Sequence, residues 1–371
     1  MSDKIKVEKL DDKELENYSG LSEIKDSELL GHLSAAVGPM LRTGIAFGKM
    51  ATSGSNKLFS VHIPKNLQLV EAKNKPGIFR ALFKAKDSSK IVEHAELKPV
   101  SPNNMANAVA GVMNLASLVV GQYNMTQINN KLEEITDSLA NIENFQENEY
   151  KSKVQALTAQ IEKMTKYQSD IIANDDRRKA EIIKLDDLEH KCIELLGQAN
   201  LSIESLAEKK YEYYEDYRDN LYQADKWYGY QKALFEILYK IEELRYTFYM
   251  GAESMESCFE IMSTYVKQIK AVQKKVSSWH KEAVKKLEID MEKNRRKRDG
   301  WDAAFHWVPS LFDDDSNFAN MKKKTVKMIQ EQQKGYDLEQ TPVIDAYSDG
   351  VRIIVKDDKY YYLPESQNIV E

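Results

Sequence analysis

Apolar and polar residues alternate along the chain with two different periods. Between residues 58 and 98, four short runs with alternating character are separated by turn sequences rich in Pro, Gly, Asn and Asp. This alternation predicts short β-strands. The runs lie at residues 58–64, 67–72, 77–85 and 90–98. We therefore expect a small sheet in this part of the chain.

A second pattern extends from about residue 105 to residue 298. Apolar residues such as Ile128, Leu132 and Ile135 recur at intervals of three and four, with Glu and Lys between them. Sustained spacing of this kind is typical of coiled-coil helices, and we expect no strand in this range. A polar interruption at residues 173–178 is either a turn between two helices or a solvated part of one continuing helix.

The end of the chain returns to the strand pattern. The sequences VIDAY, VRIIV and KYYYL predict a three-stranded meander, with a hairpin signal at Asp349–Gly350. We expect this meander to join the N-terminal strands in one sheet.

These patterns predict a mainly α fold: long antiparallel coiled-coil helices in an elongated bundle, with a small β-sheet region built from N-terminal strands and a C-terminal meander. The expected units are a charged arm or short helix (1–26), an apolar helix plus short strands (27–100), a helical coiled-coil bundle (101–300) that ends at Gly300, a loop and short helix (301–335) and the β-meander (336–371).

One segment of the predicted bundle, from Asn103 to Asn124, carries no charged residue, although charged residues make up 30% of the chain. Met105–Tyr123 as one helix spans roughly 28 Å, close to the ~30 Å of a bilayer core. Its polar residues, Asn107, Asn114, Ser117 and Gln122, would each cost ~1 to 3 kcal/mol if buried without partners. The helix therefore needs protein neighbours in either setting, and the apolar stretch 29–51 is the expected partner. The residues expected to contact membrane or helix are Val109, Val112, Ala116, Val119 and Val120.

Composition narrows the class of protein further. Glycine (15) and proline (8) are scarce, as in long solvated helices. The net charge of −6 gives no overall field that attracts nucleic acid, and we expect no nucleic-acid partner. The polar N-terminus predicts a cytoplasmic protein, with membrane association or export without a classical signal peptide as the open alternatives. The two cysteines, Cys192 and Cys258, occupy apolar helix positions and are expected to be buried free thiols.

Catalytic motifs are not evident in the sequence. The six histidines are dispersed without a metal-ligand spacing, and no phosphate-binding glycine loop or nucleophile elbow occurs. Paired carboxylates are typical of solvated helix faces. We therefore expect a protein that is not an enzyme, with no cofactor, no metal and no small-molecule substrate.

Two further features are candidate interaction sites. Residues 211–231 are rich in tyrosine, which suits either a bundle core or a partner surface; the candidate surface residues are Tyr213, Tyr214, Tyr217 and Trp227. A basic run lies at the C-terminus of the helix predicted to end at Gly300, and it either interacts with the helix dipole or binds phosphate or a lipid headgroup. Its candidate residues are Arg295, Arg296, Lys297 and Arg298, and Lys322–Lys324 lie nearby in sequence.

Long amphipathic helices joined to a small β region and a weakly apolar segment resemble the α-helical pore-forming toxins of bacteria. The resemblance covers the architecture of residues 105–298. It implies a helical form that hides an apolar element, releases it at a membrane and oligomerises. We therefore expect a non-enzymatic coiled-coil protein that acts through oligomerisation, as a homo-oligomer or with a helical partner, and through conditional membrane association. The alternative is a cytosolic bacterial scaffold or regulatory protein whose apolar helix stays buried.

Overall fold

Strands from the two ends of the chain form one antiparallel sheet in the computed structural model. The residues described are 6–9, 21–27, 29–34, 58–63, 67–71, 79–84, 91–97, 113–140, 142, 148–250, 252–299, 317–338, 351–356 and 359–363. The strands of this sheet are β1 (Lys6–Lys9), β2 (Ser22–Glu23), β3 (Leu58–Ile63), β11 (Val351–Lys356) and β12 (Lys359–Leu363), in the spatial order β1–β3–β11–β12–β2. The prediction that C-terminal strands join the N-terminal ones is confirmed.

A second sheet contains the other three strands predicted before residue 98. It consists of β4 (Leu67–Glu71), β5 (Phe79–Lys84), β6 (Ile91–Leu97) and β7 (Met113–Asn114), in the order β6–β5–β4–β7. The predicted strand VIDAY and the hairpin signal at Asp349–Gly350 lie outside the described residues.

The rest of the described chain is mainly helical. The helices are α1 (residues 29–34), α2 (Leu115–Ala140), α3 (Asn148–Lys166), α4 (Gln168–Ala173), α5 (Asp175–Glu208), α6 (Tyr214–Tyr249), α7 (Met255–Cys258), α8 (Met262–Lys286) and α9 (Lys323–Lys334). This confirms the mainly α fold class with small antiparallel sheets. The polar interruption at residues 173–178 is a break between two helices, because Asn174 has an extended backbone and its side chain caps α5 by accepting from the Arg177 N–H.

Helix α6 lies at the centre of the bundle. It packs against α2, α3, α5, α8 and α9, and its second half, from Tyr230 to Phe248, is buried on almost every side. A helix that is buried around most of its circumference must be apolar on most faces, and Leu234, Ile237 and Leu238 meet this condition. The bundle therefore forms around α6 as a shared core.

The structure corrects three predictions about where strands and helices lie. The charged arm expected at residues 1–26 contributes β1 and β2 to the first sheet, because pairing with β3 and β12 satisfies their backbone groups. The helix expected from Met105 begins only at Leu115, since Met113 and Asn114 pair with Leu69 and Gln68 of β4. Residues 105–112 lie outside the described residues.

The third correction concerns the helix predicted to end at Gly300. Helix α8 ends at Lys286, and Glu288 (φ 45°) and Asn294 (φ 51°) adopt left-handed conformations on either side of β8 (Ile289–Asp290). Strand β9 (Arg295–Lys297) then pairs with both β8 and β10 (Phe318–Asn320). The expectation of no strand between residues 105 and 298 was therefore wrong, because the partner strand β10 comes from a distant part of the sequence.

Candidate functional site

The first turns of α2 are buried on all sides. Residues 116–121 have no exposed face, and Val119 and Val120 are 1% and 0% exposed. From Met125 onward the helix becomes amphipathic, with buried Ile128 and Leu132 separated by exposed polar residues. The structure thus divides α2 into a fully covered apolar start and an ordinary bundle helix.

Helix α6 covers one side of this start. The Asn124 side chain donates from Nδ2 to Thr247 Oγ1 over 3.5 Å, and the Thr247 hydroxyl donates to the Glu243 carbonyl over 2.7 Å. Thr247 is itself fully buried. This contact provides a polar partner for α2 inside the core, which is what the uncharged but amide-rich sequence of the helix requires.

The sheets cover another side. Strands β4 and β11 pack against α2, and the Tyr123 ring lies edge-on to Tyr362 of β12 at 4.9 Å between centroids. A cleft of about 550 Å³ remains here between α2 and residues 21–26. Helix and sheet therefore pack less completely on this side than within the bundle.

The predicted contact residues of the apolar helix are only partly described. Ala116, Val119 and Val120 are buried in the core, while Val109 and Val112 lie outside the described residues. Ser117 and Gln122, two of the polar residues of this segment, both interact with other groups in the folded chain. Leu29 and Leu33, from the stretch expected to pair with this helix, belong to the same core.

The tyrosine-rich segment is mainly part of the bundle core. Tyr217 is fully buried, Tyr214 and Trp227 are also buried, and Tyr213 is exposed at the start of α6. The Tyr217 ring packs against Trp279 at 5.3 Å, and Trp227 against Tyr150 at 4.9 Å. Tyr214, Tyr217 and Trp227 therefore follow the bundle-core alternative, because their aromatic faces are used within the chain. A partner surface in this segment stays a prediction.

The basic run forms ion pairs within the chain. Arg296 is buried and donates to Glu215 and Asp299, each over 3.0 Å, and its guanidinium lies 4.3 Å from the centre of the Tyr214 ring. These contacts fix the start of α6, where the Tyr214 N–H also donates to Asp299 over 2.7 Å.

The neighbours of Arg296 also interact within the chain. Because Arg295–Lys297 form strand β9, the predicted interaction with a helix dipole does not apply to them. Arg295 pairs with Asp290 over 3.2 Å, and Lys297 with Glu288 over 2.5 Å. Arg298 likewise interacts with another group of the chain. The structure does bring Lys322–Lys324 close to this run, since the Met321 N–H donates to the Asn294 carbonyl over 2.7 Å. Binding of a headgroup or phosphate at these residues stays a prediction.

A buried charge cluster between α5 and α6 was missed by the sequence analysis. Glu242 is fully buried and accepts from Arg245, which also contacts Glu189 and, over 3.1 Å, Asp186. Burial raises the pKa of Glu242 to about 8, Arg245 opposes this rise and Glu189 adds to it. The available signal was a glutamate at a position where the helical spacing of α6 requires a core residue.

Cys192 and Cys258 are buried free thiols, as predicted. Burial raises the pKa of both thiols, that of Cys258 to about 11. A thiol with a raised pKa forms little thiolate at neutral pH and is a poor nucleophile. Neither cysteine is therefore a candidate for catalysis.

Two findings limit the chemistry of the described residues. Within these residues, no three His, Cys, Asp or Glu side chains are grouped as a metal site would require. The described helices also include none that is both long enough and apolar enough to cross a membrane.

The chain matches no protein-family model, no curated protein and no solved structure. The geometry of the covered start of α2 is therefore what indicates a candidate site.

Proposed function

We propose that this chain is a non-enzymatic helical-bundle protein that stores an apolar helix start and exposes it at a membrane, where it oligomerises. The observation that carries the proposal is the burial of residues 116–121 on every side. An apolar segment covered this completely stays hidden from water until its cover moves.

The two sides of α2 are covered to different extents, and this difference supports exposure of the helix under certain conditions only. On the α6 side, α2 is held by core packing and by the Asn124–Thr247 hydrogen bond. On the sheet side the cleft near Tyr123 and Tyr362 leaves apolar surface without close neighbours, so the contacts that would have to be broken there are fewer. We therefore propose that the sheet side opens and that α2 remains a helix when it does.

The alternative function is a cytosolic scaffold or regulatory protein in which α2 never leaves the core. The same burial supports this alternative, because the apolar start fits between α6 and the sheets with its amide groups partnered. The two functions differ in a single observable, which is whether residues 115–121 ever contact lipid.

Photocrosslinking to lipid measures this contact directly on the unmodified chain. Vesicles of phosphatidylcholine and phosphatidylglycerol that carry a diazirine on the acyl chain are mixed with the protein and irradiated, and cross-linked peptides are located by mass spectrometry. The membrane function predicts cross-links within residues 115–123 and none within the α8 core residues 269–279. Absence of cross-links in α2 would leave the scaffold function, and cross-links in both helices would indicate general unfolding on lipid.

A matched pair of variants separates membrane contact from stability. Val120 and Val276 are both 0% exposed, so Val120→Asn and Val276→Asn each place an amide in the core and destabilise the folded chain comparably. Only Val120→Asn also places an amide in the membrane-contacting segment. We expect it alone to lower dye leakage from vesicles, by about tenfold, which corresponds to ~1 to 2 kcal/mol for the buried amide. Equal leakage from the two variants would contradict the proposal.

A further inference from the structure

Two of the five buried residues of α9 are polar. Its apolar contacts come from Val326, Met328 and Ile329, but Thr325 and Gln332 are each only 1% exposed. Both polar side chains have partners on other helices, since Thr325 Oγ1 lies 2.8 Å from the Tyr222 hydroxyl. The attachment of α9 therefore places polar groups in a buried interface, where a new charge is unfavourable.

Gln332 is the centre of a hydrogen-bond chain across three helices. Its Nε2 donates to Asp225 Oδ1 over 3.0 Å, and its Oε1 lies 3.0 Å from His280 Nε2. On its other side, His280 Nδ1 lies 2.8 Å from the Tyr217 hydroxyl. The chain Tyr217–His280–Gln332–Asp225 thus joins α8 and α6 to α9.

The donors and acceptors in this hydrogen-bond chain fix the tautomer of His280. Because the Gln332 amide nitrogen donates to a carboxylate, its oxygen faces His280 and must accept, so the proton of the neutral imidazole is on Nε2. Nδ1 then accepts from the Tyr217 hydroxyl. A second proton, on Nδ1, would point at that hydroxyl and force it to turn its own hydrogen away, in a site where His280 is 0% exposed.

The segment that follows α9 is attached in the same manner. The Tyr336 hydroxyl donates to Gln231 over 3.1 Å, and Gln273 Nε2 donates to the Tyr336 carbonyl over 3.2 Å. After residues 339–350 the chain continues into β11, which packs against α2. Helix α9 and the residues just after it, through Leu338, are therefore the last described contacts with the bundle before the strands that cover the start of α2.

We propose that α9 is an acid-released latch: protonation of His280 detaches Lys323–Lys334 from the bundle and thereby loosens the strands that cover α2. The detachment of α9 concerns the folded chain alone. The loosening of the strands over α2 rests on the proposed function, in which exposure of α2 is the active step.

The titratable groups around His280 do not all act in the same direction. Burial lowers the pKa of His280 to about 4, with its hydrogen bond to Gln332 opposing this, so acid favours the detached state of α9. Burial raises the pKa of Asp225 on α6, while Gln332 and Lys324 oppose the rise and Glu331 adds to it, so protonation of Asp225 favours the attached state. The phenols of Tyr211, Tyr214, Tyr217, Tyr228 and Tyr336 all have raised pKa values and stay neutral in acid, and Glu282 of α8 acts on Tyr211.

The expected shift toward detachment follows from the difference between the pKa values of His280 when α9 is attached and when it is detached. With a pKa of about 4 when α9 is attached and about 6.5 when the imidazole is solvated, the equilibrium shifts toward detachment by up to about 80-fold at pH 4.5. Asp225 reduces this factor. The shift toward detachment can be measured by hydrogen exchange of peptides from residues 323–334, after correction for the intrinsic pH dependence of exchange.

We expect amide protection in α9 to fall by at least tenfold between pH 7.5 and pH 4.5, while protection in α8 residues 262–279 changes little. His280→Gln keeps one donor and one acceptor but cannot take the proton, so it should remove the pH step. His190→Gln, at an exposed position of α5, is the matched control and should leave the step unchanged. Asp225→Asn removes the opposing group and should enlarge the step, which provides a second test if His280→Gln does not fold.

Protection of α9 that is equal at both pH values, in the wild type and in Asp225→Asn, would overturn the latch. The lipid cross-linking experiment, repeated at pH 7.5 and 4.5, separates this result from the proposed function. Cross-links to α2 at pH 7.5 with α9 still protected would support the membrane function and refute the latch as its regulator. Release of α9 at pH 4.5 without cross-links would support the latch and refute its link to the membrane.

Discussion

Replacement of Glu242 by glutamine is expected to remove one contribution to the loss of stability between pH 4.5 and pH 8. The Glu242 carboxyl is fully buried between α5 and α6, and its pKa in the folded chain is about 8 against an ordinary value of 4.5. The folded state therefore binds this proton more tightly than the unfolded state. A group with a raised folded pKa contributes stability that is fully present below pH 4.5 and is lost as the pH rises toward 8.

The expected change in the free energy of unfolding follows from the pKa shift of Glu242. Each pH unit between the two pKa values corresponds to about 1.4 kcal/mol, so the free energy of unfolding should fall by up to about 5 kcal/mol across this window. The amide of Glu242→Gln does not ionise and still offers an oxygen to Arg245, whose charge keeps Glu189 and Asp186 as partners. The variant should therefore become more stable than the wild type as the pH rises.

Urea unfolding followed by circular dichroism at pH 5.5, 7.0 and 8.5 checks this expectation. His280 has the opposite sign, because its lowered pKa makes stability fall below pH 6.5, but it is present in both proteins and cancels in their difference. Glu133→Gln, at an exposed position of α2, is the control and should follow the wild type. A difference between Glu242→Gln and wild type that does not change with pH would refute the reasoning.

Two further predictions concern the core around α6. Leu238→Ala removes a fully buried side chain and should lower the free energy of unfolding by about 2 to 5 kcal/mol in urea titrations, whereas Ile183→Ala, at a position 66% exposed, should change it by less than about 0.5 kcal/mol. Cys192 and Cys258 should resist alkylation by iodoacetamide at pH 8 in the folded chain and react only in urea, because both are buried with raised pKa values; rapid labelling without denaturant would contradict their placement.

The elements with a regular period were predictable because the period follows from local geometry. The alternation in LFSVHI and the β-branched residues of VRIIVK are both typical of strands, and β3 and β11 form where these patterns occur. Spacing of three and four predicts α2, α3 and α5 in the same way. The short strands β7, β8 and β9 were missed, because each is stabilised by pairing with another strand and not by its own pattern.

The candidate site was likewise predictable from the sequence only in part. The absence of charge between Asn103 and Asn124 pointed to a segment that avoids water, and the burial of residues 116–121 agrees with it. The cover made by α6 and the sheets was not predictable, since β11 and β12 come from the far end of the chain. Tyr217 illustrates why: its pattern allowed a core or a surface position, and only the approach of His280 and Trp279 from α8 decided between them.

The sequence by itself determined the mainly helical class, the strand segments near both ends of the chain and the segment that must be hidden from water, because periodicity and lack of charge act over a few neighbouring residues. Only the tertiary structure decided that Arg245 meets Glu189 and that His280 meets Gln332. A buried polar group is stable only beside a complementary group, and here that group lies on another helix, at a distance in sequence that no local pattern records.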